Sequence, residues 1–160
     1  MSLLLTGSKT IQIAGTEMSC IEIYTGESYT LPFAFTDANQ DPIDISTWTF
    51  GTSAKWYTCT TSEPTNTSIT ISDLTLINPQ PSQPVGLAAA ITNGPSGLGY
   101  LFIPTTLSGG TGSPNPSPTL IVTDTTTLLV IITMSVSRTD ITSSLTDISR
   151  EPIGVVIRYQ

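Results

Sequence analysis

Apolar and polar residues alternate with a period of two along most of this chain. In the clearest segment, 29–36, Tyr29, Leu31, Phe33 and Phe35 share one side of an extended strand. Similar stretches lie at 9–14, 20–24, 43–45, 48–59, 68–72, 99–104, 120–122, 126–137 and 153–159. Roughly eight to ten short strands with turn residues between them predict an antiparallel β-sandwich.

Two strands carry a further prediction about their place in a sheet. The run Leu128–Ile132 is the most hydrophobic of the chain and would promote aggregation on a sheet edge, so we predict that it pairs on both sides. Pro32 cannot donate a ladder hydrogen bond, which predicts that its strand has one exposed edge there.

The segments between the predicted strands are rich in Pro, Gly and Ser. Pro79–Pro84 is typical of a stiff extended connector, and Ser108–Pro118 of a long loop without an apolar anchor. Residues 86–92 fit a strand or a helical turn. With no repeat and no visible boundary, residues 1–160 are expected to form one β-sandwich domain with long loops.

Composition removes many functions. The chain has 160 residues, no His, five Lys and Arg against twelve Asp and Glu, and a net charge of −7, whereas Ser and Thr supply 48 residues. Without His there is no serine-protease-type triad and no His-ligated zinc. Five scattered basic residues argue against partners such as nucleic acid or an anionic membrane. No cofactor is expected.

The N-terminal residues, the longest apolar run and the two cysteines do not indicate a targeting signal, a membrane helix or a metal site. Residues 1–5 lack the basic start of a secretory signal, and the apolar run 128–136 is shorter than the ~20 residues of a membrane helix. Cys20 and Cys59 are expected to be buried thiols, with a disulfide between neighbouring strands as the alternative and a metal site excluded by ligand number.

Acidic residues offer two candidate sites, neither of which we adopt. Asp37, Asn39 and Asp41 have the spacing that opens a calcium loop, but Pro42 and Trp48 stand where that loop needs Gly and Glu, so a turn is predicted. A glycosidase would need two carboxylates. The candidates are expected to be solvated instead: Glu17, Glu22, Glu27, Asp44, Asp73 and Asp124.

Aromatic residues raise carbohydrate binding as an alternative, since exposed rings stack on sugars. The candidates are Trp48, Trp56, Tyr57 and Tyr100. Trp48 and Trp56 share the parity of Phe50, which predicts burial of that side in the core. Tyr57 has the opposite parity and is expected to be the more exposed ring.

Segments 21–29 and 31–45, read as IEIYTGESY and LPFAFTDANQDPIDI, resemble the start of immunoglobulin-like domains in tailed-phage baseplate upper proteins and tail-fibre attachment domains. Residues 99–104 and 150–157 resemble a later and the closing strand of that family, with Gly154 in its usual place. The chain differs at Gln40 and Ile45, where the family has Gly and Leu. The resemblance implies an immunoglobulin-like sandwich without catalytic residues, which docks in a virion.

The resulting hypothesis is a non-enzymatic structural protein of a tailed phage, a tail or baseplate component or fibre adaptor, assembled in the host cytoplasm. No catalytic, cofactor-binding or metal-binding residues are expected. The expected partners are other virion proteins and copies of itself, through Pro79–Pro84 and Ser108–Pro118. A capsid decoration protein and a glycan-binding module are the alternatives, and a two-carboxylate hydrolase comes last.

Overall fold

The structure is a computed structural model that describes residues 2–59, 68–69, 73–78, 80–81, 83–108, 127–139 and 146–158. Eleven strands dominate these residues. The strands are β1 Ser2–Leu5, β2 Lys9–Ile13, β3 Thr16–Tyr24, β4 Tyr29–Thr36, β5 Thr49–Cys59, β6 Ser68–Ile69, β7 Leu74–Leu76, β8 Ala88–Asn93, β9 Leu98–Ile103, β10 Thr127–Thr139 and β11 Thr146–Arg158. A 3-10 turn covers Gly94–Ser96, and helix α1 covers Thr105–Ser108.

The strands form two sheets in a sandwich-like arrangement, which confirms the all-β prediction. Sheet A has the order β1-β4-β9-β8, and sheet B has the order β6-β2-β3-β11-β10-β5-β7. The inner core lies between them and takes every second side chain of the central strands. Its largest fully buried members include Trp56, Phe33, Phe35, Leu31, Leu101 and Ile103.

The most hydrophobic strand occupies the predicted central position. β10 pairs with β11 on one side and with β5 on the other, so Leu128–Ile132 has a neighbour on both edges. Leu128, Val130 and Ile132 face the inner core and are fully buried. Continuous apolar character is typical of a strand covered on both faces, and β10 follows that rule.

The sheets are not purely antiparallel, and that part of the prediction is wrong. β3 runs parallel to β11, with Ile21 opposite Val155, and β2 runs parallel to β6. Hairpin connections force antiparallel pairing only between strands that follow each other closely. The residues paired between β3 and β11, such as Ile21 and Val155, are 134 positions apart along the chain, so the chain reaches β11 by a long route that permits either direction.

β4 lies between β1 and β9, but β1 pairs only with Phe33–Thr36, so at Pro32 the strand has an edge without a strand partner, as predicted. The proline is accommodated because β1 ends at Leu5, which is opposite Phe33. Beyond that point Thr6 donates its backbone N–H to the Pro32 carbonyl at 3.0 Å. The missing N–H of Pro32 therefore falls at the last backbone hydrogen bond between the two segments, where the pairing of β4 with β1 ends.

Two turns show how the local sequence sets chain direction. Ala14 and Gly15 connect β2 to β3 with φ of 50° and 83°, the two positive values that a tight type I′ hairpin requires. The Asp37 carboxylate accepts hydrogen bonds from the backbone N–H groups of Asn39 and Asp41 at 2.8 and 3.0 Å. This confirms the turn that the sequence predicts there, and Gln40 adopts a φ of 67° within it.

Sheet B also carries apolar side chains on the face turned away from the inner core. This outer cluster consists of Ile11, Ile13, Met18, Cys20, Cys59, Ile69, Leu129 and Val156, all buried. Gly154 lies beneath it, where an added Cβ would be 2.8 Å from Ile13 Cδ1. The middle of sheet B is thus buried on both faces.

The intermediate segments are partly described. Residues 88–93 form strand β8 rather than a helical turn, and the helical turn occurs instead at Thr105–Ser108. Residues 109–126, which include most of the predicted loop and the predicted strand 120–122, lie outside the described residues, as do Asp124 and Pro79.

Candidate assembly face

Charge is divided unequally between the two sheets. The four strands of sheet A contain no Asp, Glu, Lys or Arg. The charged residues on described strands all belong to sheet B: Lys9, Glu17, Glu22, Lys55, Arg138, Asp147, Arg150, Glu151 and Arg158. Sheet A is therefore the side of the sandwich whose strands carry no charged residue.

Strand register shows which residues of sheet A point away from the inner core. Leu4 is opposite Ala34, which is opposite Leu98, and this forms the first row across the sheet. Further along, Pro32, Tyr100 and Ala90 form a second row, and Thr30, Phe102 and Ala88 form a third. We call these nine residues the uncharged face.

The uncharged face is accessible and largely apolar. Leu4 is 64% exposed and Leu98 is 40% exposed, while Pro32 and Ala88 are also exposed. Tyr100 and Phe102 are half-buried between their neighbours. Four strands about 4.8 Å apart and about six residues long cover roughly 400 Å². This is the size at which an apolar patch on a monomer is often an interaction site.

The nearest acidic residues along the chain belong to the loop between β4 and β5. Asp44 Oδ1 accepts hydrogen bonds from the Ser46 hydroxyl at 2.6 Å and from the Ser46 backbone N–H at 2.9 Å, and these bonds lower the pKa of the Asp44 carboxyl. Asp44 is therefore ionised at neutral pH.

The edge of β5 is covered by side chains from the segment that the sequence assigns to a connector. The Gln80 side-chain amide forms hydrogen bonds with both backbone groups of Trp56. It accepts from the Trp56 N–H at 2.8 Å and donates to the Trp56 carbonyl at 2.9 Å. Gln83 makes the same pair of bonds to Ala54 at 2.7 and 3.0 Å. Gln80 and Gln83 therefore bond within the chain, and contact of this segment with other subunits stays a prediction.

The aromatic candidates for sugar stacking are used in packing. Trp56 is fully buried, and Tyr57 is half-buried against the outer cluster rather than exposed. Trp48 packs its ring against Phe35 at 5.1 Å and lies under the Arg138 guanidinium, also at 5.1 Å. Among the four candidates, Tyr100 alone lies on the uncharged face.

The thiols and carboxylates form no reactive arrangement in the part of the chain that the structure describes. Cys20 and Cys59 are both buried, on strands β3 and β5, which β11 and β10 separate. The disulfide between neighbouring strands therefore does not occur. Burial raises the pKa of Cys20 to about 11, so this thiol stays protonated at neutral pH.

Acidic residues do not gather into a metal site within the described ranges, where no group of three His, Cys, Asp or Glu could hold an ion. Glu22 instead forms an ion pair with Arg158 at 2.6 Å across the parallel β3–β11 pair. The described helices are also too short to cross a membrane.

Sequence reasoning missed the uncharged face, although one signal was present. In β9, read LGYLFI, apolar residues stand at both even and odd positions, so one sheet face could not be polar there. Comparison with known proteins adds no other site, since no protein-family model matches the chain and no curated protein is significantly similar to it.

Proposed function

We propose that this chain is a non-enzymatic structural protein of a tailed-phage virion, an immunoglobulin-like module of the tail or baseplate that docks through the uncharged face of sheet A. The observation that carries the proposal is the division of charge between the sheets: a chain of net charge −7 keeps one whole sheet free of charged residues. Interface centres are depleted of charged residues and enriched in aromatic residues. The uncharged face likewise has no charged residue and carries the rings of Tyr100 and Phe102.

Strand order supports the immunoglobulin-like part of the proposal. Eight strands can be given the letters of an immunoglobulin domain in chain order: β1 is A, β4 is B, β5 is C, β7 is C′, β8 is D, β9 is E, β10 is F and β11 is G. Sheet A then has the order ABED, and four neighbouring strands of sheet B have the order C′CFG. Immunoglobulin sandwiches have this order. The β2–β3 hairpin then extends sheet B beyond strand G.

A buried tryptophan supports the same assignment. Trp56 lies on the strand equivalent to C, is fully buried, and directs its indole N–H to the Leu107 carbonyl at 3.4 Å. In antibody domains the equivalent ring packs against a disulfide between strands B and F. Here β4 and β10 contain no cysteine, and the ring packs in a hydrocarbon core instead, which suits a protein assembled in a reducing cytoplasm.

Resemblance and surface together favour assembly over sugar binding. The family resemblance of segments 21–45, 99–104 and 150–157 implies a docking module without catalytic residues. The Ser- and Thr-rich composition suits permanent interfaces, because short side chains lose little entropy when covered and bury no unpaired charge. Trp48 and Tyr57, the rings that the sugar-binding alternative would use, are engaged in packing.

Electron microscopy of the virion tests the proposal. Gold-labelled antibody against the purified chain should decorate the tail or baseplate of the phage that encodes it. Label on the capsid would replace this proposal with a decoration protein. Virions that contain none of the chain by mass spectrometry would overturn a virion role altogether.

A further inference from the structure

We infer that Asn93 is a site of self-modification, at which its side chain cyclises onto the backbone nitrogen of Gly94, and that the native turn around Gly94 suppresses this reaction. The inference goes beyond the proposed function and does not depend on it. The reaction needs water and an open chain, but no cofactor and no second protein. The chain is therefore chemically stable while this turn is closed and modifies itself when the turn opens.

The reaction uses groups that are adjacent in the sequence. The Gly94 nitrogen attacks Asn93 Cγ and forms an N–Cγ bond, the Cγ–Nδ2 bond breaks, and Nδ2 leaves as ammonia with the proton of the Gly94 N–H. Water then opens the five-membered imide. Attack at one carbonyl gives aspartate, and attack at the other gives isoaspartate, whose main chain runs through the former side-chain carbonyl carbon. Water replaces ammonia in the sum, and nothing is oxidised or reduced.

Asn93 is the asparagine of this chain that is best suited to the reaction, because a glycine follows it. Among the five asparagines of the sequence, only Asn93 precedes Gly. Two precede Pro, whose nitrogen carries no hydrogen to lose, and two precede Gln40 and Thr67, whose side chains hinder approach of the backbone nitrogen. The sequence thus concentrates this reactivity at the bond between Asn93 and Gly94.

The native backbone at Asn93 is far from the geometry that ring closure needs. Asn93 ends strand β8 with φ of −146° and ψ of 91°, and its side chain accepts a hydrogen bond from the Ser96 N–H at 3.3 Å. A planar ring requires Cβ and the Gly94 nitrogen to be eclipsed about the Cα–C bond, which for an L-residue occurs only at negative ψ. The Gly94 peptide must therefore rotate through a large angle before it can react.

Packing holds the Gly94 peptide against that rotation. Its carbonyl accepts hydrogen bonds from the Ile45 N–H at 2.9 Å and from the Gly97 N–H at 3.0 Å. Gly94 is buried, and a Cβ added to it would lie 2.8 Å from Ser46 Cα and collide with the Ser46 hydroxyl. Ring closure requires these contacts to separate, so its rate is scaled by the fraction of molecules in which the turn is open.

The same packing explains why the reactive pair is present. No side chain fits at position 94 beside Ser46, so glycine is needed there. Asparagine at position 93 supplies the side-chain cap of the 3-10 turn. The two structural requirements together produce the sequence that cyclises most easily, and the closed turn then protects it.

The two products differ in whether the fold accepts them. Aspartate leaves the backbone unchanged and caps the Ser96 N–H with a carboxylate oxygen. Isoaspartate adds one carbon to the main chain between β8 and Gly94. The Gly94 carbonyl then cannot meet both Ile45 and Gly97 while position 93 stays in register with Leu98. A chain that has formed isoaspartate is therefore expected to stay outside the native state.

Peptide mass spectrometry of the full chain tests the inference. The chain is incubated at mildly alkaline pH with and without guanidinium chloride and digested, and electron-transfer fragmentation measures the aspartate and isoaspartate formed at position 93. We expect conversion to be at least about tenfold faster in the unfolded chain. Asn39, which is exposed but precedes Gln40, is the internal control and should convert much more slowly when unfolded. Equal rates at Asn93 in the two conditions overturn the protective role of the turn, and equal rates at Asn93 and Asn39 in the unfolded chain overturn the site.

Two matched proline variants test whether the opening is local. Pro95→Ala loosens the 3-10 turn at its start, and Pro152→Ala makes the same change on β11 of sheet B. Circular dichroism first checks that both variants fold. The ratio of native to unfolded rate should rise about two- to fivefold for Pro95→Ala and stay within about 1.5-fold for Pro152→Ala. An equal rise in both variants means that only global unfolding exposes the bond, which overturns control by the turn.

Refolding separates the two products. A chain partly converted while unfolded is diluted out of denaturant, and size-exclusion chromatography isolates the compact fraction. Isoaspartate should be depleted from that fraction, whereas the Asn93→Asp variant should refold as the unchanged protein does. Isoaspartate at the same level in the compact and non-compact fractions overturns the predicted exclusion from the native state. A virion that lacks the chain would overturn the proposed function and leave each of these results standing.

Discussion

The Gln80 side chain bonds the backbone of Trp56 as a neighbouring β-strand would. Its carbonyl oxygen accepts from the Trp56 N–H at 2.8 Å, and its amide donates to the Trp56 carbonyl at 2.9 Å. The same amide donates to the Ile77 carbonyl at 2.6 Å. A strand edge with unmet hydrogen bonds invites another chain to pair with it, so this side chain protects sheet B where β7 has ended.

Replacing Gln80 with Ala should destabilise the fold by about 1–3 kcal/mol, because the Trp56 N–H loses its acceptor and the Trp56 and Ile77 carbonyls each lose a donor in a partly buried place. Urea unfolding followed by circular dichroism measures the change. Gln12→Ala is the control, since Gln12 is exposed on β2, and surface changes of that kind stay within about 0.5 kcal/mol. Equal effects of the two variants would show that the Gln80 bonds contribute nothing measurable.

Replacing Gly99 with Ala should be among the most damaging single changes in sheet A. An added Cβ would be 2.5 Å from both the Ala90 carbonyl oxygen and Phe33 Cζ, so backbone or core must shift. We expect a loss of about 3 kcal/mol in the free energy of unfolding. Gly51→Ala is the control. Its added Cβ would approach only the Ser135 hydroxyl, at 2.6 Å, and this side chain can rotate away.

Thermal and urea unfolding of both glycine variants give the comparison. The Gly51 variant should lose less than about 1 kcal/mol, since alanine also restricts the unfolded chain. A Gly99 variant as stable as the unchanged protein would contradict the close packing of β8 and Phe33 on this strand.

Stability should fall at alkaline pH through Cys20. Burial raises the pKa of this thiol from 9.0 to about 11, with Glu22 adding to the rise and Lys9 opposing it. The stabilisation is complete below pH 9 and is lost as the pH rises to about 11, because the unfolded chain releases the proton first. The loss attributable to Cys20 amounts to about 2–3 kcal/mol.

Cys20→Ala isolates that effect. The variant should be less stable at pH 7 because of the lost packing, and the gap between it and the unchanged protein should narrow between pH 9 and 11. Denaturant unfolding at a series of pH values measures the gap. A gap that stays constant would mean that Cys20 does not titrate differently in the two states.

Trp48 should behave as a packing residue rather than as a sugar-binding one. Trp48→Ala removes contacts with Phe35 and with the Arg138 guanidinium and should cost about 2–3 kcal/mol. Tyr24→Ala is the control, because Tyr24 is 46% exposed at the end of β3 and should change stability by less than about 0.5 kcal/mol. A Trp48 variant of unchanged stability that loses binding to a glycan would restore the carbohydrate alternative.

Period-two alternation predicts the strands well where one sheet face is buried. β4 begins at Tyr29 and ends at Thr36, as the pattern predicts, and β10 has the central place that its apolar run indicates. Alternation reports the environment of each side chain but not the identity of the neighbouring strand. The parallel pairing of Ile21 with Val155 therefore could not be predicted from local sequence.

The candidate face was harder to predict for a different reason. The sequence predicts assembly contacts in the Pro-rich segments 79–84 and 108–118, because loops often carry binding residues. In the structure, Gln80 and Gln83 bond to β5 within the chain. The uncharged face combines residues of four strands, such as Leu4, Ala34 and Ala90. Only the strand register shows that they lie on the same face of sheet A.

The position of β10 and β11 in sheet B has a consequence for biosynthesis. The centre of the larger sheet is made last: β3 and β5 leave the ribosome long before the strands that separate them. Neither the inner core nor the outer cluster can close until residues near 157 have been translated and have left the exit tunnel. Contacts of such long sequence separation slow folding. The nascent chain must therefore remain soluble with Leu31, Phe33 and Trp56 exposed, a period in which chaperones would find it most easily.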